Sequence, residues 1–506
     1  MTTKILKPIF ALALTGLVVS CDFAEKNIDP NENSTITPGS LLTYTQINTT
    51  SGGLSKNVQV GTCMMLVQQT ASLQQDMPGD KYYMMDASAN TYFNDLYSSV
   101  IKNWRELTIL AEGNPRYDNT LGAAKIWGAY LFQRITDLYG DVPYSEAGTA
   151  YYTQNFYPKY DKQEDIYTGI IQEIKDGLAL LSKDKVAMEG DLFYNGDIDK
   201  WKKFGNSLLL RVGMRLSEVA PDKAKQVIIG AVQGGVMSSP EDICMLKHYT
   251  SETRLKNPLS YRLIDMDNYI QKDHIKIGKT FMDYLMNTND PRISVYCSLK
   301  NGDNNPAIQR GLPNGHDNST IGTTEGYTGN IADYSNFNTK SILKMDAPTL
   351  FMMPSETKLL LSEAVLRGWI AGDASALYKE AIKSSMKEQY IAYGDNGKIA
   401  DTQVEVYLAQ NLFDNATTTE KKLEVIGEQY WVATFMNGFE SYANWRRTGY
   451  PKLTPANYAG SISPGVIPTR IPYAMDEYTI NKANVEAANQ HQGPDKVTTH
   501  VWWDTK

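Results

Sequence analysis

The sequence predicts a mainly α chain of paired helices, on three observations. Apolar residues recur at spacings of three and four through most of its 506 residues, the period of one helix face. The periodic stretches come in pairs split by short turns. Only one long stretch, 298–338, loses the period, and there Gly, Asn, Asp, Ser and Thr crowd together.

Each element has its own warrant. In 119–139, Trp127, Leu131, Ile135 and Leu138 share a face. In 161–181, Tyr167, Ile170, Ile171, Ile174, Leu178 and Leu181 do the same, and Asp161 with Glu164 predicts a capping-box start. Trp201, Phe204, Leu208, Val212 and Leu216 line the next helix, and Pro221 opens its partner through Ile228 and Val232. Stretches 356–369 and 374–390 form another pair, split by Gly372 and Asp373. The stretch 418–439 is expected to be one long final helix carrying Val425, Ile426, Tyr430 and Phe435. The layout is that of helical-hairpin repeats such as the tetratricopeptide type, without a clean 34-residue signature. A forty-residue irregular stretch such as 298–338 is either functional or disordered. The tail 461–506 carries Ile467, Ile471, Tyr473, Trp502 and Trp503, which predicts an irregular segment packed against the helices.

The N-terminus is expected to lie outside the fold. Lys4 and Lys7 precede an apolar run, 9–19, broken by Thr15, and Ser20-Cys21 follow. That is a secretory signal, too short for a spanning helix. Val18-Val19-Ser20-Cys21 resembles a lipobox, so residues 1–20 are the expected leader and Cys21 the lipidated residue. Residues 21–40 read as the lipid-bearing cysteine and a flexible tether, and 41–506 as a single domain. The membrane would be touched through the lipid alone.

The net charge of −8 becomes more negative once Lys4 and Lys7 leave. No basic cluster offsets it, so nucleic-acid binding is not expected. With Cys21 acylated, Cys63, Cys244 and Cys297 remain, in neither a disulfide framework nor a zinc spacing. They allow one disulfide or three core thiols.

Catalytic motifs are missing. His248, His274, His316, His491 and His500 make no His-Glu-x-x-His spacing. No Gly-x-Ser-x-Gly elbow and no phosphate-cradling Gly-x-x-x-x-Gly-Lys loop occurs. Asp197 with Asp199, and Asp265 with Asp267, are carboxylate pairs of the kind a glycosidase needs. Beside Gly and in turns, such residues serve instead as caps and turn acceptors. Asn301-Gly302-Asp303-Asn304-Asn305 has calcium-like composition without the twelve-residue loop spacing. Arg446, Arg447 and Arg470 lie beside Trp and Tyr, where an arginine ties an irregular segment to the fold by stacking or pairing. No catalytic residue, metal ligand or cofactor is therefore expected, and the chain is not expected to be an enzyme.

A series of strings in order resembles the SusD/RagB family of nutrient-binding outer-membrane lipoproteins, nearer its SusD-like subgroup than the founding starch-binding member. The series begins at Arg134-Ile135-Thr136-Asp137-Leu138-Tyr139-Gly140-Asp141-Val142-Pro143-Tyr144 and continues through Tyr160-Asp161, Lys200-Trp201, Phe204-Gly205-Asn206 and Arg211. Glu363-Ala364, Arg367-Gly368-Trp369, Gln429-Tyr430-Trp431, Asn444-Trp445-Arg446-Arg447 and Pro468-Thr469-Arg470-Ile471-Pro472-Tyr473 follow, and Val501-Trp502-Trp503-Asp504 closes it. The resemblance implies a tetratricopeptide-like paired-helix superhelix with long loops, few short strands and an irregular C-terminal half. It implies a protein tethered to the outer membrane and facing the cell exterior. Such a protein captures an oligosaccharide, or in some relatives a peptide, for a SusC-like TonB-dependent transporter. Its motifs are framework: Gly140 ends a helix, Pro143 sets a turn, and Trp201 and Phe204 are core.

Binding residues are therefore sought on loops. Tyr82 and Tyr83 lie where relatives place ligand aromatics, and Tyr327 and Tyr334 lie in the Gly/Asn-rich stretch. These four are the candidate ligand residues; the competing reading packs Tyr82 and Tyr83 on Tyr92 or Trp104. Chain 76–103 holds no Trp, which argues against a starch-like aromatic platform. Two other readings predict different behaviour: a carbohydrate-active enzyme turns glycan over, and a ligand-free scaffold has no aromatic-walled cleft.

Overall fold

The central helix of the fold is buried on every side, which its sequence alone does not announce. It belongs to a computed structural model that describes residues 36–506 apart from Gly52, Leu54 and Met84. The leader, Cys21 and nearly all of the tether lie outside the described residues. Pro38–Lys506 forms one compact unit.

Its first helix, α1 (Pro38–Asn48), begins inside the segment assigned to the tether. A helical run without a break follows from α2 (Asp86–Asp95) through a π-helical stretch, Leu96–Ile101, into α3 (Lys102–Ala111). Next come α4 (Asp118–Tyr139) and α5 (Gln163–Leu180), then α6 (Ile198–Arg215) and α7 (Pro221–Gly234), each pair packed as a hairpin. The short α8 (Lys279–Asn287) precedes a third hairpin, α9 (Pro354–Leu366) and α10 (Ala374–Tyr393). Finally α11 (Asp401–Leu408), α12 (Thr419–Ala433), α13 (Gly438–Thr448) and α14 (Lys482–Gln492) follow. Among the described residues the strands form three two-stranded patches: β1 (Thr70–Ala71) on β3 (Lys276–Ile277), β2 (Cys244–Leu246) on β6 (Thr349–Met352), and β4 (Cys297–Ser298) on β5 (Asn336–Phe337), all antiparallel. This is the mainly α, tetratricopeptide-like paired-helix architecture that the periodicity and the resemblance predict.

Local chemistry sets the helix starts. Asp197 accepts from the Lys200 amide at 3.1 Å, Asp373 from Ala376 at 3.1 Å and Thr418 from Lys421 at 3.2 Å, each a side-chain N-cap. Pro221 and Pro354 occupy first helical turns, where a missing amide costs nothing. Asp161 is not the cap of α5: that helix starts at Gln163 with no side-chain cap. Asp161 instead accepts from the Tyr144 and Ser145 amides, at 3.1 and 2.8 Å, and bridges to Val142. The expected single helix 418–439 is two, because Met436 adopts φ +71° between α12 and α13. The tail is not irregular throughout, since α14 lies in it.

Helix α4 owes its full burial to small residues on the faces away from Trp127 and Ile135. Gly122 meets Gly177 of α5 so closely that a Cβ on either would sit 2.8 or 2.6 Å from the other's carbonyl oxygen. Charge also runs through this core. Arg211 forks onto Glu356 at 2.6 and 2.9 Å. Arg215 joins Asp137 at 3.2 Å to Glu440 at 2.7 Å. The Trp503 indole donates to Asp137 at 2.9 Å and the Tyr430 hydroxyl to Glu440 at 2.7 Å. Burial opposes the charge on Glu440, yet Arg215 and Arg211 outweigh it and hold the carboxyl below its usual range. The three arginines singled out in the sequence are likewise internal. Arg447 forks onto Glu363 with both bonds at 2.7 Å. Arg446 stacks over Tyr442, 4.0 Å from the ring centre, and Arg470 binds Asp495 at 2.6 Å.

Candidate aromatic binding site

Three loops from distant parts of the chain meet beside the β1–β3 patch: 68–83, 312–334 and 454–462. The first is fixed by an ion pair inside the protein. Lys81 bonds Asp80 at 2.7 Å and the Ser72 carbonyl at 2.6 Å, and both charged side chains are fully buried. Burial pushes the Asp80 carboxyl above its usual range against the pull of Lys81. Gly79 lets this turn lie against Gly61 and Thr62, where a Cβ would come within 2.5 Å of the Gly61 oxygen. The third loop is tied down by Gln68, whose amide donates to the Thr454 carbonyl at 2.6 Å. The second is tied by Asn314, which donates to Thr70 at 2.7 Å.

The four candidate tyrosines divide in two. Tyr82 is 1% exposed. Its hydroxyl accepts from the Ala456 amide at 3.1 Å and its carbonyl from the Ile462 amide at 2.8 Å. It clamps the third loop and offers no ring face to a ligand; its neighbours are not Tyr92 or Trp104, which pack elsewhere on Phe439 and Phe132. Tyr334 is 2% exposed and anchors a small separate core with Ala71, Leu73, Leu312 and Ile321. That core is why 298–338 is ordered: the stretch buries its own apolar residues. These two tyrosines are structural, a correction to their expected ligand role. Tyr327 stacks on Tyr334, centroids 5.7 Å apart and 10° from parallel, and keeps partial exposure.

Tyr83 is the ring left at the surface of the first loop. It meets Tyr458 at 6.3 Å between centroids and 70° between planes, an edge-to-face pair. Beside them Gly460 puts no side chain against Tyr83, where a Cβ would lie 3.8 Å from the ring, and Tyr83 keeps partial exposure. The Tyr458 hydroxyl donates to Asp317 at 2.8 Å. Asp317 also accepts from Ser319 and Thr320, and these bonds hold its carboxyl well below the usual range. His316 is half-buried next to it, and burial lowers its pKa. The site thus combines an edge-to-face tyrosine pair with an ionised acceptor bonded to the hydroxyl of one of them.

Tyr458, Asp317 and His316 were not expected from sequence. Asn457-Tyr458-Ala459-Gly460 carries an aromatic in a turn composition, the same signal that marked the other loops. The carboxylate pairs do not form a catalytic arrangement. Asp197 caps α6, Asp199 pairs with exposed Lys183 at 2.5 Å, Asp265 with Lys256 at 3.4 Å, and Asp267 with Arg262 at 2.7 Å and Lys56 at 3.1 Å. Asn301, Asp303 and Asn305 each accept a backbone amide two residues on. Among the described residues no three His, Cys, Asp or Glu side chains gather as a metal site needs, and no helix is long and apolar enough to cross a membrane. Cys63, Cys244 and Cys297 are free and buried.

Fold and loop cluster together define a SusD-like helical protein. Residues 30–474 match the SusD-like family described as "Starch-binding associating with outer membrane", and the chain belongs to that family. Among solved structures, a chitin-binding protein is 31% identical, with TM-score 0.82 over 93% of this chain and all of its own. A Bacteroidetes SusD-like protein is 25% identical, with the same TM-score and the same coverage of both chains. A chitin-binding SusD homolog from Flavobacterium johnsoniae, at 24% identity and TM-score 0.77, covers 92% of this chain and 98% of its own and shares the fold. Among curated proteins nothing matches.

Proposed function

We propose that this protein is a cell-surface lipoprotein, anchored through Cys21, that captures an oligosaccharide and passes it to a SusC-like TonB-dependent transporter of the outer membrane. It binds without turnover. The observation that carries the reading is the Tyr83–Tyr458 pair with Asp317 bonded to the Tyr458 hydroxyl, on loops fixed by Gln68 and the Lys81–Asp80 pair. Sugar rings present C–H faces to such rings and hydroxyls to such a carboxylate. Tyr327 extends the surface on the flank where Thr324 meets His316. The 31% identical chitin-binding protein supports β-linked N-acetylglucosamine oligomers as the ligand class.

Calorimetric titration of the chain from residue 22 tests this with N-acetylglucosamine oligomers, α-linked glucans and mixed peptides. Saturable heat is expected with the first, with no shorter product on chromatography afterwards. Tyr83→Ala combined with Tyr458→Ala should weaken binding by about 5- to 150-fold, since each aromatic stack is worth roughly 0.5–1.5 kcal/mol. Heat from peptides alone would move the ligand class to peptides, and release of shorter sugars would make the protein an enzyme.

A further inference from the structure

A second aromatic surface lies outside this site. In the loop after α4, Tyr151 is 80% exposed, Phe156 63%, Tyr157 59% and Tyr152 45%. Four aromatic side chains facing water within seven residues is not how a loop relieves hydrophobic surface, and such patches mark contact sites. They are held outward by bonds from beneath. The Tyr152 hydroxyl donates to Glu106 of α3 at 2.7 Å. Glu146 accepts from the Asn155 side chain and the Lys159 amide, both at 3.0 Å. Asn484 donates to the Tyr157 carbonyl at 3.0 Å and Asn481 to Pro158 at 2.8 Å. Tyr151 and Tyr152 stand edge to face, 5.3 Å apart and 87° between planes. A platform fixed in this way loses little freedom when it binds.

Its charge narrows the occupant. The stretch 147–158 contains no Asp, Glu, Lys or Arg, and the two nearby carboxylates, Glu106 and Glu146, are turned to internal partners. What 147–158 turns outward is aromatic rings with Thr and amide side chains, and the adjoining exposed Lys159 is neutralised by Asp161 at 3.1 Å, so the surface suits a neutral, hydroxyl-rich ligand better than an ion. The platform sits on elements other than those of the first site. It is bonded to α3 through Glu106 and to the start of α14 through Asn481 and Asn484, whereas Tyr83 and Tyr458 belong to loops 68–83 and 454–462.

We infer that the 151–157 loop is a second glycan-stacking site that engages the same neutral polysaccharide at a separate point along its chain. The inference rests on the glycan reading of the Tyr83–Tyr458 site. Two sites on one strand raise retention on a polymer through effective concentration without altering affinity for a short oligomer.

The test compares the chain from residue 22, Tyr151→Ala/Phe156→Ala and Tyr83→Ala/Tyr458→Ala on an N-acetylglucosamine trimer by calorimetry and on insoluble chitin by depletion. Near-ultraviolet circular dichroism checks that each variant is folded; the first pair of side chains is exposed, so folding should be unchanged. Expected for Tyr151→Ala/Phe156→Ala is trimer affinity within twofold of the parent and chitin retention lowered roughly tenfold. Expected for Tyr83→Ala/Tyr458→Ala is lost trimer binding with residual chitin retention. If Tyr151→Ala/Phe156→Ala matches the parent on chitin while the other variant loses all binding, the second site is refuted and the first stands. If that variant keeps full chitin retention but no longer co-purifies with the outer-membrane barrel, the loop is a protein contact and the inference falls. Absence of any binding by the parent to either sugar removes the glycan reading itself, and the second site with it.

Discussion

Single side chains carry more of the stability of this fold than of its recognition. Glu388 is 1% exposed, and burial, opposed by its bonds to Ser355 and Ser384, pushes its carboxyl up to about 7. The unfolded chain releases that proton near 4.3. Between these values the folded state holds the proton more tightly, so the contribution of Glu388 is fully present below about 4.3 and is lost as pH rises through 7. Glu388→Gln keeps an oxygen for the Ser355 amide and removes the charge. It should leave stability at pH 4 nearly unchanged and raise it by on the order of 3–4 kcal/mol at pH 8, read from urea unfolding at the two pH values. Glu363 has the opposite sign: burial works against its charge, but Arg447 and Arg367 win and hold it at about 2. Its contribution is present above about 4.3 and fades as pH falls toward 2.

Among elements, the α4–α5 hairpin depends on two backbones touching. In Gly122→Ala the new methyl would lie 2.8 Å from the Gly177 oxygen and 3.0 Å from Leu181, and a loss of about 1–3 kcal/mol is expected. Gly230 in α7 is the control: a Cβ there meets nothing within 4 Å, so Gly230→Ala should stabilise by about 0.5–1 kcal/mol. Urea midpoints with unchanged slopes report both. The hairpins were legible because Trp201, Phe204 and Leu208, or Tyr167, Ile170 and Ile174, repeat on one face. The break at Met436 was not, because a single left-handed residue leaves the apolar period on either side intact. Nor was the cap of α5, since Asp161 suits a helix start and a turn acceptor equally well and tertiary contact with Ser145 decided between them. At the site, composition singled out two of the three loops that meet there, and two of its four tyrosines keep a partly exposed ring. Tyr82 and Tyr83 are adjacent and identical in type, and only packing against Ala456 and Ile462 separates the buried one from the exposed one. Tyr458 is more than 370 residues from Tyr83, so no local pattern could pair them.

At the scale of the whole molecule, buried charge links the repeats to the segments that follow them. Arg215→Met would leave Asp137 and Glu440 facing each other with less compensation; loss of one partner from such a network costs about 3–5 kcal/mol, and calorimetric melting should show it. Trp503→Phe keeps most of the ring and removes only the indole donor to Asp137, so a smaller loss of about 1–3 kcal/mol is expected.

The Asp137–Trp503 bond joins residues 366 positions apart. At roughly 5–20 residues per second of synthesis, about 20–70 s separate the appearance of the carboxylate from that of the indole that completes its shell. Throughout that interval the middle helices exist without the last piece of their polar centre, and contacts of such long sequence separation form late. Any factor that must keep this chain open during its synthesis therefore has its window set by the fold itself.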